Sequence, residues 1–168
     1  DPAEISNIFN KYFCSVGSNL VKNLPQTSTP FEKYLKLPLQ NSIFVEPVTE
    51  TEIFALLSKL KCNKSCGEYS LNPTILKENK QFFTEPLTYL FNLSISKGVV
   101  PDKFKLAKVV PLYKKGEHNL ASNYRPISLL NIYSKLLEKI VYKRLYSFLD
   151  KNKILYNHQF GFRKNHST

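Results

Sequence analysis

Between Lys108 and Ser128 the chain reads KVVPLYKKGEHNLASNYRPIS, and no other stretch constrains the fold as tightly. An apolar run, Val109 to Leu112, has the length and composition of a short strand and ends at a pair of cations, Lys114 and Lys115. Gly116 follows and permits a tight turn. A short polar loop then returns to Asn123-Tyr124-Arg125-Pro126-Ile127-Ser128. The pattern predicts a strand–loop–strand between Lys105 and Ile127, with the first strand over Lys105 to Leu112 in spite of Pro111 near its end. Two lysines and one arginine are thereby carried to neighbouring points of one ribbon. Lysine supplies a point charge and arginine a planar fork that grips two oxygens, so the set suits a phosphate-bearing ligand. Pro126 fixes the backbone just after Arg125 and biases it toward an extended conformation.

The charge is distributed to match. The net charge is +11, yet residues 1–100 carry 10 basic and 9 acidic side chains, whereas residues 101–168 carry 14 and 4. A basic segment of that density fits a nucleic-acid backbone or nucleotide phosphates. Tyr113, Tyr124, Tyr142 and Phe162 are interleaved with the cations, where they are expected to stack on bases. A hydrophobic content of 42% over 168 residues is enough for a folded core and argues against intrinsic disorder. Cys14, Cys62 and Cys66 make an odd count with no secretion signal, which reads as reduced intracellular thiols. Cys62 and Cys66 have a zinc-like spacing, but His118, His158 and His166 lack the paired spacing of ligands, so buried or free thiols are expected. No run approaches a membrane span, and the sequons at Asn63, Asn92 and Asn165 are expected to be unused.

Most of the remainder reads as helix. Ile5, Ile8, Phe9, Tyr12, Phe13 and Val16 recur at helical spacing within residues 4–20, a stripe expected to pack. Residues 23–48, with Pro25, Pro30, Pro38 and Pro47, read as a linker or extended segment. Thr49 with Glu52 is a capping-box signal ahead of the apolar face Ile53, Leu56, Leu57, Leu60. Asn72-Pro73 opens a short helix to about Lys80, and Glu85-Pro86 opens another with Leu87, Leu90, Phe91 and Ile95 inward, stopped at Gly98. The strongest helical pattern runs from Leu130 to about Asn152, with Ile132, Leu136, Leu137, Ile140, Val141, Leu145 and Leu149 on one broad face. Lys135, Lys139, Lys143 and Arg144 fall on its other sides, where simple solvation is expected for most of them. Chain order suggests three parts: residues 1–48, 49–100 and 101–168.

Four blocks occur in a telling order: VVPLYKKG, NYRPISLLN, SKLLEKIVYKRL and QFGFRKNHST. Each alone is a weak signal, but their joint order and spacing are specific. On them, Lys108 to Thr168 resembles the opening of the reverse transcriptase domain of non-LTR (LINE-type) retrotransposons, and ISNIFNKYFCSVGSNL resembles the connector that precedes it. The segment NKSCGEYSLNP occupies the place of a KSPGPDGI-like loop, matching at Lys64, Ser65 and Gly67 and departing at Tyr69 and Ser70. The resemblance implies a mostly helical α+β fold, an incomplete right-hand polymerase with a helical extension before the start of its fingers. It implies that Arg125 lies against the triphosphate of an incoming deoxynucleotide, with Lys114 and Lys115 in a related role. It implies template contact at Lys64, Gln159, Gly161, Phe162 and Arg163, with RNA template and DNA primer as partners. Phe162 reads equally well as a base-stacking ring or as a core plug.

In that family the palm aspartates hold two magnesium ions, in an FxDxxKAFD-like block and a Tyr-Ala-Asp-Asp-like turn, and neither occurs here. After Asp102 the carboxylates are Glu117, Glu138 and Asp150. With no methionine at Asp1 and a stop at Thr168, the sequence reads as a fragment cut at both ends before the catalytic palm, without cofactor and inactive alone. A non-enzymatic basic nucleic-acid-binding remnant and a functionless transposon fossil are the alternative readings.

Overall fold

The computed structural model describes residues 1–25, 29–34, 40–62, 67, 71–163 and 165–166. Among them the chain is mostly helical with one small two-stranded sheet, as the sequence leads one to expect. It divides into two compact units, residues 1–40 with 108–129 and residues 41–107 with 130–168.

The first unit contains helix α1, Pro2–Lys22, and most of a hairpin. Asp1 caps α1 by accepting from Ala3 N–H, and Pro2 sits at the first helical position, where its missing N–H costs nothing. The apolar stripe of α1 packs only in part. Phe9, Tyr12, Phe13 and Val16 are half-buried, whereas Ile5 and Ile8 are exposed. Strands β1, Ala107–Tyr113, and β2, Tyr124–Leu130, form the hairpin. The first strand therefore starts two residues later than expected, because Asp102–Lys105 forms a helical turn, α5, closed by the Lys105–Asp102 ion pair at 2.9 Å.

Lys114 N–H donates to Asn123 O at 2.9 Å, which fixes the antiparallel register. Leu112 then faces Arg125, and Pro111 faces Pro126 directly. Hydrogen-bonded pairs alternate with non-bonded ones along such a ladder, and the Pro111–Pro126 pair falls on a non-bonded position. Neither missing N–H removes a rung, so two prolines are tolerated in a two-stranded sheet. Each leaves instead a gap on an outer edge, which discourages a further strand from adding there.

The second unit holds the core. Helix α2, Glu50–Ser58, packs chiefly on α4, Lys80–Lys97, with α3, Pro73–Glu78, between them in sequence. Ile53, Leu57, Leu76, Phe91, Leu136 and Ile140 are essentially inaccessible, the last two from α6, Ile132–Lys151. Thr49 caps α2 by accepting from Glu52 N–H, Asn72 caps α3 through Thr74 N–H, and Gly98 ends α4 in the left-handed region at φ 64°. One expectation fails: α4 begins at Lys80, and Pro86 lies inside it instead of opening it. Thr84, Leu87, Phe91 and Ser94 bury one face of that helix, and this packing outweighs the single hydrogen bond that Pro86 cannot make. The face of α6 is also shorter than expected. Ile132, Leu136, Leu137 and Ile140 are buried, but Val141 and Leu145 are exposed.

Arg144 departs furthest from expectation. It is not a solvated cation: its side chain is only 13% exposed. It forks onto Glu52 at 2.9 and 3.3 Å and donates to the carbonyls of Glu46, Pro47 and Ile140. One guanidinium thus ties the segment before α2, the first turn of α2 and the middle of α6. Glu52 consequently turns away from the reciprocal half of the capping box. Asn92 plays a similar part, accepting from Val48 N–H at 2.6 Å and donating to Val48 O at 2.9 Å.

Candidate nucleotide and nucleic-acid interface

The hairpin loop is built around Gly116 and Asn123. Gly116 adopts φ 97°, and a Cβ there would lie 2.6 Å from Asn123 Nδ2, which itself donates to Glu117 O. Gly116→Ala is therefore expected to destabilise the hairpin by about 1–3 kcal/mol, combining a left-handed backbone with a steric conflict. Amide exchange at Lys114 and Asn123 reads the effect, and unchanged protection there would contradict it.

Tyr124 Oη donates to His118 O, Tyr113 Oη donates to Gly116 O, and the Tyr113 ring lies on the His118 ring with centroids 4.0 Å apart. Tyr113 also meets Tyr124 edge to face, and Phe9 of α1 meets Tyr124 at 4.8 Å. Tyr113 and Tyr124, whose rings were expected to stack on bases, take part in fixing the loop and seating it on α1. Phe9 is thus the aromatic anchor between α1 and the hairpin.

Alternation along the strands then separates the two faces. Tyr113 and Tyr124, a facing pair, lie on the α1 side. Lys114, one residue past β1 but bonded to Asn123 in the same register, continues the alternation onto the opposite face with Leu112 and Arg125, with Arg125 diagonal to it. Lys115 is past the end of β1, in the turn. All three cations are exposed, and none is paired with a carboxylate among the described residues. The geometry brings Lys114 and Arg125 together on a cationic, apolar-flanked ribbon face, with Leu112 half-exposed between them.

The other candidates lie in the second unit. Gln159 N–H donates to Tyr156 O, and Arg163 donates to the same carbonyl at 3.2 Å, while its Nε is buried without a partner among the described residues. Phe162 is fully exposed at φ 61° and plugs no core among the described residues. A Cβ on Gly161 would meet nothing within 4 Å, so no contact among the described residues requires glycine there. Lys64, Cys66, Tyr69 and Ser70 lie outside the described residues. Asp102 is tied to Lys105, and no three His, Cys, Asp or Glu side chains converge among the described residues. No helix is long and apolar enough to cross a membrane among the described residues.

No family model matches the chain. Individual proteins do. It is 33% identical over 135 residues, 80% of its length, to a probable RNA-directed DNA polymerase from transposon BS of Drosophila melanogaster. It is 31% identical over 158 residues, 87% of its length, to the RNA-directed DNA polymerase from mobile element jockey of the same species. It is 33% identical over 123 residues to a putative 115 kDa protein in the type-1 retrotransposable element R1DM, also of that species. The chain thus corresponds to a segment of transposon-borne RNA-directed DNA polymerases. It belongs to the non-LTR retrotransposon reverse transcriptase family. It spans only 15% and 17% of the first two relatives' own lengths.

Proposed function

We propose that this chain supplies the start of the fingers of an RNA-directed DNA polymerase, with the 107–130 hairpin gripping the phosphates of an incoming deoxynucleoside triphosphate. The observation that carries this reading is the pairing of Lys114 and Arg125 on one exposed hairpin face while α1 and Tyr124 engage the other. A triphosphate needs several convergent cations, and fixed donors stabilise charge best where they need no rearrangement. Of the two lysines, Lys114 is assigned to phosphate because it shares the face of Arg125. Gln159, Gly161, Phe162 and Arg163 are assigned to the template track, with Phe162 as an exposed ring for stacking and Gly161 as open backbone that a strand can approach. RNA template and DNA primer are the partners of this reading. The reaction itself runs on a magnesium pair, and the residues assigned here are given binding and orientation. The reading is tested by a chimaera in which the chain replaces the matched segment of the jockey polymerase. Template-dependent primer extension supports it. A soluble, folded chimaera that binds primer–template but extends nothing counts against it.

A further inference from the structure

A cleft of about 610 Å³ in the second unit is lined by the end of α2, the start of α3 and one side of α6. None of the nucleotide- or template-contact residues assigned above lines it. Its floor is apolar, formed by Leu60, Pro73, Ile132 and Leu136, all buried. Its rim carries four lysines, Lys59, Lys61, Lys135 and Lys139, against a single Glu138. None of the four makes an ion pair among the described residues, whereas the neighbouring cations Lys143 and Arg144 are both engaged by Glu52. Lys135, Lys139 and Tyr142 recur at spacings of four and three, so they form one stripe along α6. The Tyr142 ring is 58% exposed and is backed on one side by Tyr146 at 5.5 Å.

We propose that this cleft is a second nucleic-acid site, one that takes a single strand with its phosphates along the lysine rim and a base on Tyr142. Charge complementarity favours an anionic partner. A backed, exposed ring set within a row of unpaired cations favours a nucleic-acid strand over an acidic peptide, because stacking adds to charge only when the ligand carries flat bases. A single strand is favoured over a duplex for the same reason, since duplex bases are already stacked on each other.

The test uses the full chain and a labelled oligouridylate, followed by fluorescence anisotropy across a salt series. Lys135→Gln with Lys139→Gln is expected to weaken binding about tenfold and to reduce the slope of log affinity against log salt by about 1.4, the contribution of two neutralised phosphates on a single strand. Tyr142→Leu is expected to weaken binding by about fivefold or more while leaving that slope unchanged, and Tyr142→Phe to restore it. A control pair, Lys11→Gln with Lys22→Gln on α1, should change affinity far less than the α6 pair. Circular dichroism and melting confirm that each variant is folded. Equal losses from the two lysine pairs would reduce the cleft to diffuse surface charge and overturn the proposal. So would a Tyr142→Leu variant that binds as the parent does, or polyglutamate competing as well as unlabelled oligouridylate. The outcome is separable from the hairpin reading, because Arg125→Ala leaves this binding intact if both proposals hold.

Discussion

Arg144→Met is expected to lower stability by about 2–3 kcal/mol, because it removes a forked, charge-assisted pair, leaves Glu52 only the longer Lys143 contact, and strips the Glu46 and Pro47 carbonyls of their donor. Thermal unfolding reads this as a fall of roughly 5–10 °C in Tm. Arg144→Lys keeps the charge but not the fork, and should recover less than half of the loss. The same contact sets a pH dependence. The Arg144 hydrogen bond, opposed by desolvation and aided by the charges of Arg144 and Lys143, holds the Glu52 carboxyl below its ordinary value near 4.5. The folded chain therefore binds that proton less readily than the unfolded one. Its stabilising contribution is complete above the ordinary value and drains away as pH falls through the lower, folded value. In Arg144→Met this part of the acid limb should flatten. A Tm and acid limb matching those of the parent would show that the Arg144 contacts add nothing net, as is common for fully exposed pairs.

Arg144 also shows where sequence reading stops. The helix that carries it was legible from periodicity, and so were Thr49, Asn72 and Gly98 as caps, since each depends on neighbours within a turn. Apart from Ile140 within its own helix, the partners of Arg144 lie 92 to 98 positions away, and nothing local distinguishes it from Lys143. Asn92, matched to the Val48 backbone 44 residues upstream, was equally opaque and stood out only as an unused sequon. The start of α4 was misplaced because proline is a strong local stop, yet the packing of Thr84, Leu87 and Phe91 carries the helix through it. The hairpin was legible from its apolar run and Gly116. That Pro111 and Pro126 face each other at a non-bonded position was not, because this depends on register. Composition alone groups Tyr113 and Tyr124 with the base-stacking rings, and only their contacts with His118 and Phe9 show that they help hold the loop and α1 together. The cleft beside α6 was hidden for a related reason: four lysines from separate segments meet only in the fold.

Arg125→Ala carries the largest functional effect. In the chimaeric polymerase it is expected to lower kcat/KM for the deoxynucleotide by about 10–100-fold, since a lost charge-assisted hydrogen bond is worth about 1.5–3 kcal/mol and 1.36 kcal/mol is a factor of ten. The loss should appear chiefly at limiting nucleotide. Primer–template affinity should stay unchanged, because Arg125 is assigned to the triphosphate and not to the strand. Lys114→Ala should cost about tenfold and Lys115→Ala much less, since Lys114 shares the ribbon face with Arg125 and Lys115 lies in the turn. The double variant Lys114→Ala with Arg125→Ala should lose less than the product of the single losses, because two cations that share one phosphate group are coupled. Arg125→Lys should recover only part of the activity, since an ammonium cannot grip two oxygens in one plane. Because Tyr124 seats the hairpin on Phe9, Phe9→Ala should lower nucleotide use without touching a cation. If Arg125→Ala leaves extension untouched at limiting nucleotide, the hairpin does not hold the triphosphate. A loss confined to primer–template affinity would instead place Arg125 on the strand.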